Sequence, residues 1–160
     1  LEAFRKTRQT YPQATLRIMG CTPAIDEPGV EIIGRIPKDE PGGLDKILQH
    51  YSQASIFTIM SHYEPFGIVI PEAAFSAVPC VVPRQYAFTE TVQDGITGYH
   101  VAEYEPDLLS ETFNKMLADP DKLQQMGQAA HQFAKNHWTW DAAATTIHNR
   151  ILHDLNQDKD

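Results

Sequence analysis

The stretch SIFTIMSHYEPFGIVIPEAAFSAVPCVV, residues 55–82, decides how the chain is read. It opens on SIFTIM (55–60) and closes on Cys80-Val81-Val82, both short apolar runs without polar alternation. That pattern suits strands buried on both faces, as in a parallel sheet covered by helices. Between them, SHYEPFGIVI carries Pro65 and Gly67 and reads as a loop. Pro71 then opens a helix at its first turn, where its missing N–H is one of the orphans anyway. Strand, loop, helix, strand is the unit of a doubly wound α/β domain, in which ligands sit beyond the carboxyl ends of the strands. Glu64 lies just past such an end. Glu72 falls in the first turn of the next helix, where a carboxylate complements the helix dipole. Gly67 lets the backbone approach a ligand or adopt a conformation that other residues resist. N–H groups at a helix start can face phosphate or hydroxyl oxygens, and carboxylates accept hydrogen bonds from sugar hydroxyls. On spacing alone, a Glu72 that only complements the dipole and a solvated Glu64 account for the pattern at least as well.

The alternation continues outward from this block. Residues 1–11 read as a helix ended by Pro12, 14–20 and 30–36 as strands, and 44–51 as a helix with apolar residues at 44, 47, 48 and 51. Downstream, a helix near 89–93 ends at Asp94-Gly95, and Gly98 leads into Tyr99-His100-Val101. From Pro106 to about 155 the chain reads as nearly all helical, broken once at Asp119-Pro120-Asp121, and 156–160 are expected to fray. The expected fold class is α/β, a Rossmann-like doubly wound parallel sheet with a helical C-terminal tail.

Composition bounds the function. The 160 residues carry 13 Lys+Arg against 21 Asp+Glu, a net charge of −8. That balance argues against a dedicated nucleic-acid binder, but local backbone dipoles can still hold a small anionic ligand. No apolar run approaches the ~20 residues of a membrane-spanning helix. Cys21 and Cys80 are too few for a disulfide scaffold, and both are expected reduced, in or near the core. No secretory signal is visible, so a cytoplasmic location is expected. The start LEAFRKTRQTYP, without Met and already in a helical pattern, reads as a chain that begins in mid-fold. Asp119-Pro120-Asp121 is read as a helix break with Asp as N-cap, and the seven histidines show no paired metal spacing, so no metal is expected. Trp138 and Trp140 are expected to pack the tail onto the body. His62 is the histidine near Glu64, read as a solvated loop residue or a sugar contact. No P-loop or nucleophile-elbow motif is present.

SHYEPFGIVIPEAAFSAVPCVV closely resembles the central signature of the retaining GT-B glycosyltransferases of group 1 (family 4), which include sucrose-phosphate synthases and bacterial mannosyltransferases. The hallmark there is Glu, seven residues, Glu, often as E-x-F-G-x-x-x-x-E; Glu64, Phe66, Gly67 and Glu72 match it in register. TYPQATLRIMG, VEIIGRI, ETVQDGITGYHV and DPDKLQQMGQAAHQFAKNHWTW resemble further family segments in the same order. The resemblance thus covers almost the whole chain. It implies a nucleotide-sugar donor-binding domain over residues 1–160, the C-terminal half of a GT-B enzyme, without its first strand and without the N-terminal acceptor domain.

By that resemblance Glu64 positions the donor sugar and stabilises developing charge, and Glu72 holds the ribose. Backbone groups of Phe66, Gly67, Ile68 and Val69 contact sugar and diphosphate. Arg35 and Ile36 approach the base, although a strand end with a solvated arginine explains those two equally. The implied reaction moves a sugar from a nucleotide-diphosphate sugar to an acceptor hydroxyl with retention, with no cofactor and no metal. The implied partners are the nucleotide sugar and the protein's own acceptor domain, with no nucleic acid and membrane contact left open. The family's diphosphate-binding Arg and Lys would precede Leu1, so this chain alone is expected to bind weakly and not to turn over. Three departures stand out. Ala77 replaces a usual Gly and is expected to need only a local adjustment; Tyr86-Ala87 replaces a frequent Gly-Gly; and the helix between the first two strands looks shortened to AIDEPG. A degenerate non-catalytic scaffold, a sugar-nucleotide-binding module and a sugar-nucleotide epimerase are the competing readings.

Overall fold

A computed structural model describes residues 1–102 and 104–157. In chain order the elements are α1 (Glu2–Thr10), β1 (Leu16–Met19), β2 (Val30–Gly34), α2 (Gly43–Ser52), β3 (Phe57–Thr58), α3 (Val69–Phe75), β4 (Cys80–Pro83), α4 (Phe88–Thr91), β5 (Gly98–Val101), α5 (Pro106–Leu117), α6 (Pro120–His137) and α7 (Trp140–Gln157). All strand pairs are parallel: β1 with β2, β3 with β4, and β4 with β5. The sheet is therefore in two parts, β2-β1 and β3-β4-β5. Between them lies a cavity of about 710 Å³, lined by Leu16 to Gly20 on one side and by Ser55 to Ile59 on the other. Among the described residues no strand pairs across it.

The chain passes from β2 through α2 to β3, on the far side of that cavity. Strand order thus reverses there, and the carboxyl ends flanking a reversal are where doubly wound sheets place ligands. β4 shows why its apolar run does not alternate. Cys80 and Val82 join Ile47, Tyr51, Ile70 and Phe88 on one face, while Val81 joins Val101, Met116 and Met126 on the other. Successive side chains point to opposite faces, and both faces are covered.

Several sequence expectations are corrected. The strand read over 55–60 is paired only at Phe57 and Thr58, because β3 has a partner on one side alone. Pro71 is the third residue of α3, not its first: Gly67 turns the chain early, with Ile70 N–H donating to Gly67 O at 2.8 Å. Pro is tolerated there because first-turn N–H groups have no intrahelical acceptor. Cys21 is exposed, while Cys80 is buried; the 20–29 connection contains no helix to cover Cys21. Trp138 packs beside Ala74, Ala130 and Ala134, but Trp140 is 92% exposed at the start of α7. Ala77 does not merely adjust: it takes φ +57°, the left-handed region. Asp119 caps α6 as expected, accepting from Lys122 N–H at 3.0 Å. Asn156 and Gln157 remain in α7, and the rest of the segment expected to fray, 158–160, lies outside the described residues.

Candidate functional site

Thr58 ends β3, and the loop that follows carries Glu64 half-buried. Glu64 Oε1 accepts a hydrogen bond from Gly67 N–H at 3.0 Å. Gly67 sits at φ +76°, and a Cβ there would lie 3.2 Å from Glu64 Cγ and 3.1 Å from Ile70 Cδ1. Only glycine satisfies both the conformation and the crowding. The turn that starts α3 therefore also fixes the Glu64 carboxylate. Among the described residues its second oxygen has no hydrogen-bond partner. Just beyond, the backbone N–H groups of Ile68 and Val69 make no hydrogen bond among the described residues, while the side chains of Phe66 and Ile68 are exposed.

Glu72, one turn later, is held from two sides. Tyr51 Oη donates to its Oε2 at 3.2 Å, and Lys38 pairs with its Oε1. Tyr51 is buried, and its phenol is pushed well above the ordinary value, first by burial and then by the adjacent Glu72 charge and hydrogen bond. It therefore remains a proton donor to the carboxylate. Lys38 and Tyr51 were not singled out in the sequence. Tyr51 reads as an apolar position of a helix, and Lys38 as part of a polar loop, although a second cation just past a strand end, after Arg35, is a usable signal.

The predicted residues fall into two groups. Arg35, Ile36, Val69 and Glu72 line the cavity together with Lys38. Ile36 packs on the core and Arg35 is exposed. Glu64, Phe66, Gly67 and Ile68 stand outside that lining, on the loop leading into α3. So α3 carries one carboxylate on its first turn and follows the other, with unpaired N–H groups between them. Around the loop, Gln85 and Tyr104 add hydrogen bonds to Ser61 O that the sequence did not suggest. Among the described residues, no group of three or more His, Cys, Asp or Glu is placed to hold a metal ion, and no helix is long and apolar enough to cross a membrane.

The family described as glycosyl transferases group 1 matches residues 1–133. The chain belongs to this family. It is 30% identical over 158 residues to the D-inositol 3-phosphate glycosyltransferase of Corynebacterium efficiens, covering 92% of this chain and 37% of that enzyme. Its fold matches the sucrose-phosphate synthase of Thermosynechococcus elongatus with a TM-score of 0.76 at 21% identity, covering 98% of this chain and 42% of that one. It also matches Anabaena HepE, solved in complex with UDP-glucose, with a TM-score of 0.64 at 23% identity, covering 82% and 33% of the two chains. The chain spans between 22% and 40% of the length of such curated group 1 relatives. The two-part parallel sheet with its flanking helices and helical tail thus has the Rossmann-like α/β fold of these glycosyltransferase structures.

Proposed function

We propose that this chain is the donor-binding half of a retaining glycosyltransferase that moves a sugar from a nucleotide-diphosphate sugar to an acceptor hydroxyl. The observation that carries the reading is the arrangement on α3: Glu64 and Glu72 flank unpaired backbone N–H groups beside the point where strand order reverses. Ribose hydroxyls donate to Glu72 in place of Lys38, with Tyr51 steadying the far oxygen. Diphosphate oxygens accept from the N–H groups of Ile68 and Val69. The base enters the cavity mouth beside Arg35 and Ile36. The free oxygen of Glu64 accepts from a hydroxyl of the donor sugar, and its fixed charge stabilises the oxocarbenium-like character of the transition state. The leaving diphosphate takes the acceptor proton, so no metal and no protein base enters the reaction. Membership of group 1 and the UDP-glucose held by the Anabaena neighbour support this reading.

The cations that the family places on the diphosphate are not among these residues. With ~1.5–3 kcal/mol for each charge-assisted hydrogen bond, this chain binds its donor weakly and does not turn over alone. A degenerate non-catalytic scaffold is the second reading, favoured by the bulky Tyr86, whose ring meets that of Tyr63 next to Glu64. Saturation-transfer NMR with UDP, GDP, ADP and their common sugar conjugates tests the donor site. Ribose protons of one nucleotide are expected to respond, and Glu72→Ala to weaken that response. Silence from every nucleotide, here and in a chain extended upstream alike, removes the assignment. Glycosyl transfer by the extended chain, with the product anomer read by NMR, separates the two readings.

A further inference from the structure

We propose that aromatic side chains on the loops after β3, β4 and β5 form a second ligand subsite, which packs against the C–H face of a neutral pyranose ring on the Glu64 side of α3. That the ring belongs to the glycosyl acceptor rests on the donor reading above; the subsite itself does not.

Three of the six tyrosines of the chain, Tyr63, Tyr86 and Tyr104, stand exposed on these loops. Tyr63 is 70% and Tyr86 55% accessible. Loop tips usually carry small polar residues, and contiguous exposed aromatic surface marks a binding site. The rings are also held in place. Tyr63 and Tyr86 meet edge to face, with centroids 5.5 Å apart and planes at 75°. His62 and Tyr104 lie 4.2 Å apart. The Gln85 side-chain amide donates to Ser61 O at 3.4 Å, to His62 O at 3.3 Å and to Tyr104 Oη, and Tyr104 Oη donates in turn to Ser61 O at 2.7 Å. One amide and one phenol thus bolt three loops together. A platform ordered beforehand loses little conformational freedom on binding.

Tyr86 is the second sign. Its φ is +48°, a conformation that a bulky residue rarely adopts. Such strain persists only where the surroundings over-determine it, and it clusters at functional sites. Gln85 and Tyr86 sit next to each other on the loop after β4, so the bolt and the platform share it. Chemistry then selects the ligand. Aromatic faces are negative and attract weakly positive hydrogens. The C–H hydrogens on the face of a pyranose, polarised by the ring and hydroxyl oxygens, are such partners, while the sugar hydroxyls at the rim meet the tyrosine Oη groups. A nucleobase is the less fitting occupant, because Arg35, Ile36 and Glu72 face the cavity and these aromatic residues do not line it.

Saturation-transfer NMR on the 160-residue chain tests the subsite, with methyl α-D-glucopyranoside and methyl α-D-mannopyranoside as probes and UDP as a separate probe. Ring C–H protons of at least one glycoside are expected to respond. Tyr63→Ala and Tyr86→Gly each weaken that response by about three- to tenfold, while Tyr63→Phe, which keeps the ring face and loses only the Oη contact, weakens it less than Tyr63→Ala. Tyr86→Gly relieves the positive φ and raises the melting temperature, so its loss of binding is not a loss of fold. The UDP response is unchanged in all three variants. Silence of both glycosides, or responses undiminished in both Tyr63→Ala and Tyr86→Gly, overturns the inference. Concentration-dependent self-association abolished by these substitutions, without a glycoside response, also overturns it and makes the patch an interface between copies. A glycoside response with UDP silent leaves the subsite standing and removes the donor reading; a UDP response with both glycosides silent does the reverse.

Discussion

At the residue scale, Ala77 shows what a substitution of one methyl group for a hydrogen does to a turn. Ala77 N–H donates to Ala74 O at 2.9 Å and Val78 N–H to Ala73 O at 3.0 Å. These are the two bonds of a Schellman motif closing α3, which needs its C′ residue in the left-handed region. Ala77 complies at φ +57°, at a cost of roughly 1–2 kcal/mol for an L residue. Ala77→Gly removes that strain but adds backbone freedom to the unfolded chain, about 0.5–1 kcal/mol. The net expectation is a stabilisation of about 0.5–1 kcal/mol, read as a raised urea midpoint with an unchanged slope; a lowered midpoint would refute the strain argument. The two thiols separate in the same way. Burial pushes the Cys80 thiol up to about 12, whereas Cys21 is exposed. A thiol reagent is expected to modify Cys21 promptly and Cys80 only with unfolding. A group raised in the folded state stabilises below its unfolded value and loses that contribution as pH climbs towards the folded one. Stability therefore falls above about pH 9, where the unfolded thiol ionises and the folded one does not. Tyr51, raised by the same burial, adds to the fall at higher pH. Urea melts at a series of alkaline pH values check the slope, and Cys80→Ala should flatten its first part.

At the element scale, α6 docks on that same turn through Gly127. A Cβ on Gly127 would lie 2.1 Å from Ala77 O and 3.4 Å from Pro79 Cδ. Helix propensity alone favours Gly127→Ala by about 0.8–1 kcal/mol, but the backbone oxygen cannot yield as a side chain would. Packing decides the sign, and the variant is expected to lose about 1–3 kcal/mol overall, measured by thermal melting; an unchanged or raised melting temperature would mean that α6 shifts freely on α3. This contrast also explains what the sequence could tell. Apolar periodicity reports burial, so α2 and the helices after Pro106 were legible within a few residues. It does not report pairing, so 55–60 read as a strand although only Phe57 and Thr58 have a ladder partner. The spacing of Glu64 and Glu72 was legible because both lie on one local segment. Lys38 and Tyr51, which hold Glu72, come from a separate loop and helix that only the fold brings together. The exposure of Cys21 and Trp140 is likewise set by what the fold brings, or fails to bring, over them.

At the scale of the whole molecule, the two parts of the sheet face each other across the cavity with unpaired edges. Among the described residues β1 is bonded to β2 alone and β3 to β4 alone. Helices contribute Phe4, Ile47 and Phe113 to the walls, so the cavity is apolar above and below and offers backbone groups from either side. His50 lines it as well, and its buried Nδ1 has no hydrogen-bond partner among the described residues. Parallel strands stand about 4.7–4.9 Å apart, and an open edge is a template for a further strand. Amide hydrogen exchange measures this directly. β4 is paired on both sides, so the amides of Val81 and Val82 are expected to exchange slowest. Those of Ile18 and Phe57, in strands with one open edge each, are expected to exchange faster. A chain lengthened at its N-terminus by an apolar strand able to enter between β1 and β3 should slow exchange at Ile18 and Phe57 and raise the melting temperature. Exchange at Ile18 as slow as at Val81 in the 160-residue chain would show that these edges are already closed. Because Arg35, Ile36 and Glu72 line the same cavity, filling it also stiffens the proposed base and ribose contacts. The gain in protection at β1 and β3 should therefore come with a stronger nucleotide response, and the two measured on one lengthened chain would tie the donor site to closure of the sheet.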